Sequence, residues 1–288
     1  MGILIYGFIN SAILALLAMG FNLTFGISGV ANFAYGAIYI FAGFGVWILI
    51  NLLGFNYWVS IGIALLASFL VGVIIFHVVI KRIKGMALSE VIATFGVGIA
   101  GMEIFRYFGF IGSKYGLPSL FSGGITVGGV TIDSQRITIG IMAVVLVIFV
   151  YFFTRYTKTG LAFRAIAQDE RTALTFGINS DKVGAISMGF GSCLGAASAI
   201  LILPLGNITV EGGYDVLLNA LAVCIVGGLG SSVGVLVASA LIGYAQTFTA
   251  FYLETHWMML VSLIAIALIL GIKPSGLFSQ QKELEERV

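Results

Sequence analysis

The chain has 288 residues, of which 60% are hydrophobic and only 9% are charged, and its formal net charge is +2. A water-soluble domain has roughly a quarter of its residues charged, so the composition excludes a soluble protein and indicates an integral membrane protein. Long apolar runs, rather than alternating segments of about ten residues, favour helices over a membrane β-barrel.

A membrane-spanning helix needs about 20 apolar residues. The first apolar run lacks the basic start and the cleavage site of a signal peptide and is predicted to be a membrane helix. The predicted fold is therefore all-α, with about eight hydrophobic segments: 3–26, 27–50, 56–80, 88–111, 136–154, 181–204, 216–247 and 250–272.

Polar residues punctuate the second segment. Between residues 25 and 45, five glycines accompany Ser28, Asn32 and Tyr35. Because polar groups are costly against lipid, Asn32 and Tyr35 are predicted to line a translocation path; the alternative is that they bind neighbouring helices. The same two interpretations apply to the other polar residues in spans: Asn10, Asn22, Glu90, Thr94, Glu103, Asn219 and Ser232.

Two further patterns indicate close helix packing rather than chemistry. "GVGIAG" at 96–101 fits Gly-x-Gly-x-x-Gly but lies within a span and follows no strand. "GSCLG" at 191–195 is also rich in small residues. Cys193 and Cys224 lie in apolar runs, and His77 and His256 have no clustered partners, so no metal or cofactor is predicted.

Basic residues orient the segments. They cluster at 81–84, in loop 155–180 with the adjoining Lys182, and after residue 273, which leaves outside these regions only Arg106, Lys114 and Arg136 of the 14 Lys and Arg residues. The positive-inside rule therefore places these regions in the cytoplasm. Loops 112–135, 205–215 and 251–256 are then outside, while the side of the N-terminus stays open.

This orientation conflicts with a simple crossing at 216–247, because the basic C-terminus would then lie outside. The conflict disappears if 216–247 is re-entrant. "VGGLGSSVG" at 226–234 supplies a break with four glycines and two serines. Broken backbone within a membrane lines a cavity or is buried in protein, so Gly228 and Ser231 are predicted near the path. Glycine-broken segments in both halves suggest an internal repeat.

The middle of the chain carries a dense polar insert, "RAIAQDERTALTFGINSDK", at 164–182. Thr159 is predicted to cap a short helix that begins near Gly160, and Gly177 to end it in the left-handed conformation. Such a helix could present a compact surface to a soluble partner. The alternative is an interfacial loop whose basic residues only fix the topology.

This insert resembles the cytoplasmic loop of LivH-type permease subunits, which belong to ABC importers for branched-chain amino acids. The family pattern Arg-Ala-x-Ala-x-Asp, then Ala, then Gly-Ile-Asn, matches the segment from Arg164 to Asn179. "GVANFAYGAIYIFAGFGVW", "LNALAVCIVGGLGSSVGVLVASALIG" and "LILGIKPSGLF" resemble further family elements in the same order. Tyr35 stands where the family usually has His, and Ala37 where it usually has an acidic residue.

The resemblance implies a permease domain at 1–278, with a coupling loop at 155–180 and a charged cytoplasmic tail at 279–288. The loop would dock a cytoplasmic ATPase through Arg164, Ala167, Asp169, Ala173, Leu174 and Gly177. Implied partners are a second related permease, two ATPase subunits and an extracytoplasmic binding protein. No nucleic acid is expected.

The implied function is transport of branched-chain or related amino acids into the cell, across the cytoplasmic membrane of a prokaryote. The chain itself is not expected to be an enzyme, because its sequence has no Gly-x-x-x-x-Gly-Lys-Ser/Thr loop. Two alternatives stay open. One is a permease of the same family for urea, amides or aromatic acids, and the other is an ion-coupled secondary transporter, for which Glu103 is the one plausible proton carrier.

Overall fold

The computed structural model describes residues 2–29, 31–112, 115–119, 123–127 and 130–278. Within these ranges the chain is a helical bundle with one two-stranded hairpin, so the predicted all-α class is confirmed. The tail 279–288 lies outside the described residues. The helices are α1 (Gly2–Ser28), α2 (Tyr35–Asn51), α3 (Tyr57–Ile75), α4 (Lys81–Ile83), α5 (Ala87–Tyr107), α6 (Ser134–Tyr156), α7 (Lys158–Gln168), α8 (Glu170–Thr175), α9 (Ser180–Ile202), α10 (Gly212–Gly227), α11 (Ser232–Tyr252) and α12 (Met258–Ile272).

Three short elements complete the structure. A π turn at Phe76–Ile80 joins α3 to α4, and 3₁₀ turns at Leu203–Leu205 and Thr255–Trp257 follow α9 and precede α12. Strands β1 (Gly124–Val127) and β2 (Val130–Asp133) pair antiparallel in the loop before α6.

Seven of the described helical segments are long and apolar enough to cross a membrane, and α2 and α10 are shorter apolar helices. Segments 27–50 and 216–247 differ from their predicted extents, because each is interrupted. The second helix begins only at Tyr35, and 216–247 consists of α10 and α11. Gly29 and Gly228 adopt positive φ angles of 70° and 100° at the two interruptions, a conformation that favours glycine.

The two ends of the bundle differ in charge. Where α4 meets α8 and α9, Lys81 pairs with Asp181 at 3.0 Å and Lys84 with Glu170 at 2.6 Å. We call the end that carries α7 and α8 the basic end, and the other the opposite end.

Helices α1 and α11 pack antiparallel along the bundle. The Leu4 carbonyl accepts a hydrogen bond from the Tyr244 hydroxyl at 3.3 Å, while Asn22 Oδ1 accepts from the Gly230 N–H at 2.8 Å. Ile27, near the end of α1, packs against α7. The first helix therefore begins at the opposite end and finishes at the basic end.

Helices α10 and α11 form a hairpin that turns at the basic end. Glu211, just before α10, pairs with Arg106 at the far end of α5, and Tyr244 of α11 lies beside the start of α1. The hairpin thus starts and finishes at the opposite end, as the charge distribution predicted. Its turn also contacts the segment that follows α12, because Leu277 and Phe278 donate backbone hydrogen bonds to the last carbonyls of α10 at 2.9 and 3.0 Å.

Small residues set the spacing of the central helices. A Cβ at Gly191 would lie 2.6 Å from the Gly20 carbonyl oxygen, and one at Gly98 would lie 3.1 Å from the Phe33 carbonyl oxygen. The predicted packing role of 96–101 and 191–195 is confirmed at these positions.

Candidate functional site

The loop between α6 and α9 folds into two short helices. Thr157 caps α7, and its Oγ1 accepts from the Gly160 N–H at 3.0 Å. Gly160 itself packs directly onto the Phe153 carbonyl at the end of α6. The predicted cap at Thr159 is therefore wrong by two residues, because Thr157 is the residue with extended backbone before the first turn.

Asp169 divides the predicted single helix into α7 and α8. Its backbone is extended, and its Oδ1 accepts from the Arg171 N–H at 2.9 Å. The Thr172 hydroxyl also donates to Asp169 Oδ2, and this bond holds the pKa of the Asp169 carboxyl below its usual value. Gly177 follows α8 with φ of 79°, which confirms the predicted left-handed end.

Ion pairs hold this loop to the rest of the bundle. The Lys84 ammonium donates to Glu170 Oε1 at 2.6 Å and to Ser180 Oγ at 2.8 Å, and the Ser180 hydroxyl donates to the same Glu170 oxygen. The hydrogen bond from Lys84, followed by that from Ser180, lowers the pKa of Glu170. Together with the Lys81–Asp181 pair, these contacts connect α4 to α8 and α9. We call Lys84, Glu170 and Ser180 the loop clamp.

Apolar contacts fix which residues of the loop face outward. Ala173 is only 2% exposed and packs with Ile27, Phe163 and Val183. The expectation that Ala173 faces a partner is therefore corrected: the inner side of α8 needs a small side chain against α1 and α9. Leu174 is 52% exposed and Phe176, which sequence analysis did not select, is 80% exposed.

The charged loop residues act locally in this conformation. Arg164 is exposed and donates to the Arg155 carbonyl at 3.2 Å. Asp169 caps α8. Ala167 is half-buried. Contact of Arg164, Ala167, Asp169, Leu174 and Gly177 with an ATPase stays a prediction.

Asn32 and Tyr35, the predicted path residues of the first half, both lie inside the bundle. The Tyr35 hydroxyl donates to the Leu17 carbonyl at 2.8 Å, and its ring packs edge-on to Phe21. Asn32 Oδ1 accepts from the Ala34 N–H at 3.1 Å. Tyr35 joins α2 to α1 and is packed as a structural side chain; a path-lining role for either residue stays a prediction.

Gly228 and Ser231, the predicted path residues of the second half, build the turn at the basic end. Gly228 donates to the Cys224 carbonyl, and Ser231 donates to the Gly228 carbonyl at 3.1 Å. Ser231 Oγ then caps α11 by accepting from the Gly234 N–H at 3.1 Å. The structure thus brings these two residues together in the turn between α10 and α11.

A buried polar network joins α1, α10, α11 and α12. Gln246 Nε2 donates to Asn219 Oδ1 at 3.0 Å and to Ser262 Oγ at 2.8 Å, and Asn10 Nδ2 donates to Gln246 Oε1 at 3.0 Å. Asn10 and Asn219 were predicted from the sequence, whereas Gln246 and Ser262 were not. The signal was available, because both are polar residues within apolar spans.

The remaining acidic candidates have partners. Glu103 Oε1 pairs with Arg106 at 3.0 Å, at the i,i+3 spacing that brings helical side chains together, and Arg106 also pairs with Glu211 at 2.7 Å. Glu90 is buried, and its Oε1 accepts from the Gly85 N–H at 2.8 Å. Arg106 thus engages both acidic side chains, Glu103 and Glu211. Among the described residues no group of three or more His, Cys, Asp and Glu side chains could hold a metal.

Seven described helical segments long and apolar enough to cross a membrane, with a charged two-helix loop at one end of the bundle, define a multi-pass helical membrane protein. The profile of the family "branched-chain amino acid transport system / permease component" matches residues 3–270. The chain belongs to this family.

Individual relatives agree with the family. The high-affinity branched-chain amino acid transport permease LivH of Escherichia coli K12 is 29% identical over 287 residues, which cover 92% of this chain and 91% of LivH. A probable LivH of Methanocaldococcus jannaschii is 27% identical, covering 93% and 89%. LivM of Salmonella typhimurium is 25% identical, covering 91% of this chain and 67% of LivM. Similarity to both LivH and LivM implies a second, related permease subunit.

A solved structure shares the fold. The structure of PsaBC from Streptococcus pneumoniae in complex with Fab superposes with a TM-score of 0.52 at 12% identity, covering 96% of this chain and 93% of that chain. At this identity the likeness concerns the fold alone.

Proposed function

We propose that the chain is the membrane permease of an ATP-driven importer that moves branched-chain amino acids across the cytoplasmic membrane into the cell. Membership in the family and the functions of the LivH and LivM relatives support this substrate class. The scarcity of charged residues within the spans suits a neutral or zwitterionic solute.

The importer would contain four kinds of component. A second, LivM-like permease pairs with this chain, two ATPase subunits bind at the basic end, and a binding protein delivers the amino acid from outside. The energy source lies in the ATPases, since this sequence has no phosphate-binding loop.

The observation that carries the ATPase proposal is the ordered pair α7–α8, which exposes Leu174 and Phe176 beyond the bundle. A partner that buries these two side chains gains about 1.5–3 kcal/mol from each. Movement of α8 would then pass through the loop clamp to α4 and α9. ATPase closure can in this way tilt the helices that enclose the path.

Replacing Phe176 with Asp tests this docking. Phe176 is 80% exposed, so Phe176→Asp should leave the permease folded and inserted. The variant places a charge where the docked complex needs an apolar contact, and the desolvation of that charge opposes binding. The binding free energy for the ATPase should weaken by at least about 1.4 kcal/mol, and co-purification of the ATPase should fall at least tenfold. The measurement is pull-down of the ATPases together with leucine uptake.

Phe108→Asp is the matched control. Phe108 is 71% exposed at the opposite end of the bundle, so this variant should retain ATPase and uptake. Wild-type ATPase binding by Phe176→Asp would contradict docking through α7–α8 and favour a loop that only fixes topology.

A further inference from the structure

The interruption between α1 and α2 holds a buried donor without an acceptor. Asn32 is 1% exposed, and its Oδ1 accepts from the Ala34 N–H at 3.1 Å. Its Nδ2 has no hydrogen-bond partner among the described residues. Leaving such a donor unpaired costs about 1–3 kcal/mol. Native structures rarely leave such a buried donor without a partner. The Asn32 amide therefore indicates a place where a ligand or a water binds.

The same interruption places a helix N-terminus inside the bundle. Ala34, the residue before α2, is buried and supplies no side-chain cap, and Tyr35 is fully buried. The first N–H groups of a helix have no intrahelical acceptor and carry a partial positive charge. Because Asn32 Oδ1 is bonded to the Ala34 N–H, the planar amide also holds Nδ2 beside this first turn. The Tyr35 N–H already donates to the Asn32 carbonyl at 3.2 Å, so the Gly36 and Ala37 N–H groups and Asn32 Nδ2 are the donors that favour a carboxylate.

An apolar cavity of about 230 Å³ begins at this turn. Ala34, Ala37 and Ile38 of α2 line it, facing Val97 and Gly101 of α5 and part of α3. None of its lining residues is charged. It would take an aliphatic side chain without leaving a polar group unpaired.

Glu90 of α5 is connected to the interruption through Thr94, and its own carboxylate accepts a hydrogen bond from the Gly85 N–H at 2.8 Å. Thr94 Oγ1 accepts from the Phe33 N–H at 3.3 Å and donates to the Glu90 carbonyl at 2.8 Å. Glu90 is one helical turn nearer the basic end, and its side chain is 6% exposed. Its negative charge opposes a simple anion but attracts a ligand that also carries an ammonium group.

We propose that these three features form a transient binding site for a zwitterionic aliphatic amino acid on its way through the permease. Asn32 Nδ2 and the first turn of α2 donate to the α-carboxylate. The branched side chain enters the cavity between α2, α3 and α5, and Glu90 attracts the ammonium group. The site rests on the proposed function and adds the residues that recognise each part of the substrate.

Uptake of radiolabelled L-leucine by cells that express the whole transporter tests the site. Asn32→Asp keeps the shape and the oxygen that binds Ala34 but sets a negative charge against the carboxylate. Val97→Phe fills the cavity. Each should lower the maximal uptake rate at least tenfold, while the half-saturating leucine concentration, set by the unaltered binding protein, stays the same.

Val261→Phe is the matched control. Val261 is half-buried, like Val97. It lines a separate apolar cavity of about 320 Å³ between α10, α11 and α12. Of the described residues that line this second cavity, none carries an unpartnered buried donor. This variant should transport leucine at the wild-type rate. Membrane levels and basal ATP hydrolysis of all three variants are measured in parallel to show that the transporter assembles.

A diazirine-bearing leucine analogue gives a second measurement that needs no variant. Adducts mapped by mass spectrometry on the wild-type transporter should fall within 34–41 and 97–105 and disappear with excess L-leucine. Adducts absent from both segments, or wild-type uptake in both Asn32→Asp and Val97→Phe, would overturn the site alone. A wild-type transporter that carries no leucine, isoleucine or valine would overturn the proposed function and the site with it.

Discussion

At the scale of single residues, Gly227 of α10 and Gly234 of α11 approach each other closely. A Cβ at Gly234 would overlap the Gly227 carbonyl, and one at Gly227 would lie 2.5 Å from the Gly234 carbonyl carbon. Both obstacles are backbone atoms, which cannot rotate away. The hairpin can therefore close only with glycine at both positions.

Gly234→Ala should consequently destabilise the protein by about 1–3 kcal/mol, the range typical of overpacking. The measurement is the midpoint of thermal unfolding in detergent. Gly62→Ala is the control, since a Cβ at Gly62 meets no atom within 4 Å and alanine favours a helix. Equal midpoints for the two variants would refute the close crossing.

Residue roles were predictable where backbone geometry restricts the residue type. Gly177 was predicted as the left-handed end of the loop helix and has that conformation. The inward position of Ala173 was not predictable, because alanine suits a buried face and an exposed one equally. The choice depends on how α8 packs against Ile27 and Val183, contacts that span long stretches of sequence.

At the scale of elements, the π turn at Phe76–Ile80 decides what the basic cluster contacts. It joins α3 to α4 without ending the helical rod, and an inserted π turn shifts the direction of the side chains that follow it. Lys81 and Lys84 then meet α9 and α8 respectively. From the sequence, the basic cluster at 81–84 was predicted only to lie on the cytoplasmic side. Its ion-pair partners could not be predicted, because they lie far away in sequence.

Charge exchange tests the loop clamp. Lys84→Glu places two carboxylates together and should increase hydrogen exchange across 170–178, while Lys84→Glu combined with Glu170→Lys should restore protection. The pair is partly exposed, so about 1 kcal/mol or less is at stake and exchange should change several-fold. Equal exchange in the single and double variants would show that the pair does not hold α8.

The pH dependence of this protection follows from the lowered pKa of Glu170. The clamp contribution is fully present above the ordinary carboxyl pKa and is lost as the pH falls through the lowered value. Exchange protection of α8 attributable to Glu170 should thus stay constant between about pH 6 and 8 and decline only in acid. Glu170→Gln should remove the acid-dependent step; a step retained in that variant would assign it to another group.

At the scale of the whole molecule, the orientation of the bundle is a proposal that labelling can test. The structure places the start of α1 at the opposite end, which the charge pattern had left open. With Cys193 and Cys224 replaced, Thr175→Cys should react with an impermeant maleimide only from the cytoplasmic side. Glu254→Cys and Leu4→Cys should react only from outside, and labelling of Thr175→Cys from outside would invert the proposed topology.

Counting charges predicted that the segment 216–247 returns to the side it came from, and the α10–α11 hairpin does so. The strength of that inference lies in the few charges of the chain, each of which is costly to place in lipid. The late start of α2 and the β1–β2 hairpin were not predicted. The first depends on contacts of Asn32 with α2 and of Phe33 with α5, and the second lies in a loop where hydropathy carries little information.

The backbone bonds from Leu277 and Phe278 to the end of α10 also set an order of events during biosynthesis. Helices α10 and α11 leave the ribosome well before the residues that satisfy the last carbonyls of α10. The hairpin therefore enters the membrane before Leu277 and Phe278 can bond to it, with its turn supported by Gly228, Gly230 and Ser231 and by the bond from the Gly230 N–H to Asn22. The turn between α10 and α11 is complete only after α12 has been inserted and Leu277 and Phe278 have bonded to the end of α10. The last hydrogen bonds of this hairpin therefore form long after the hairpin itself has been synthesised.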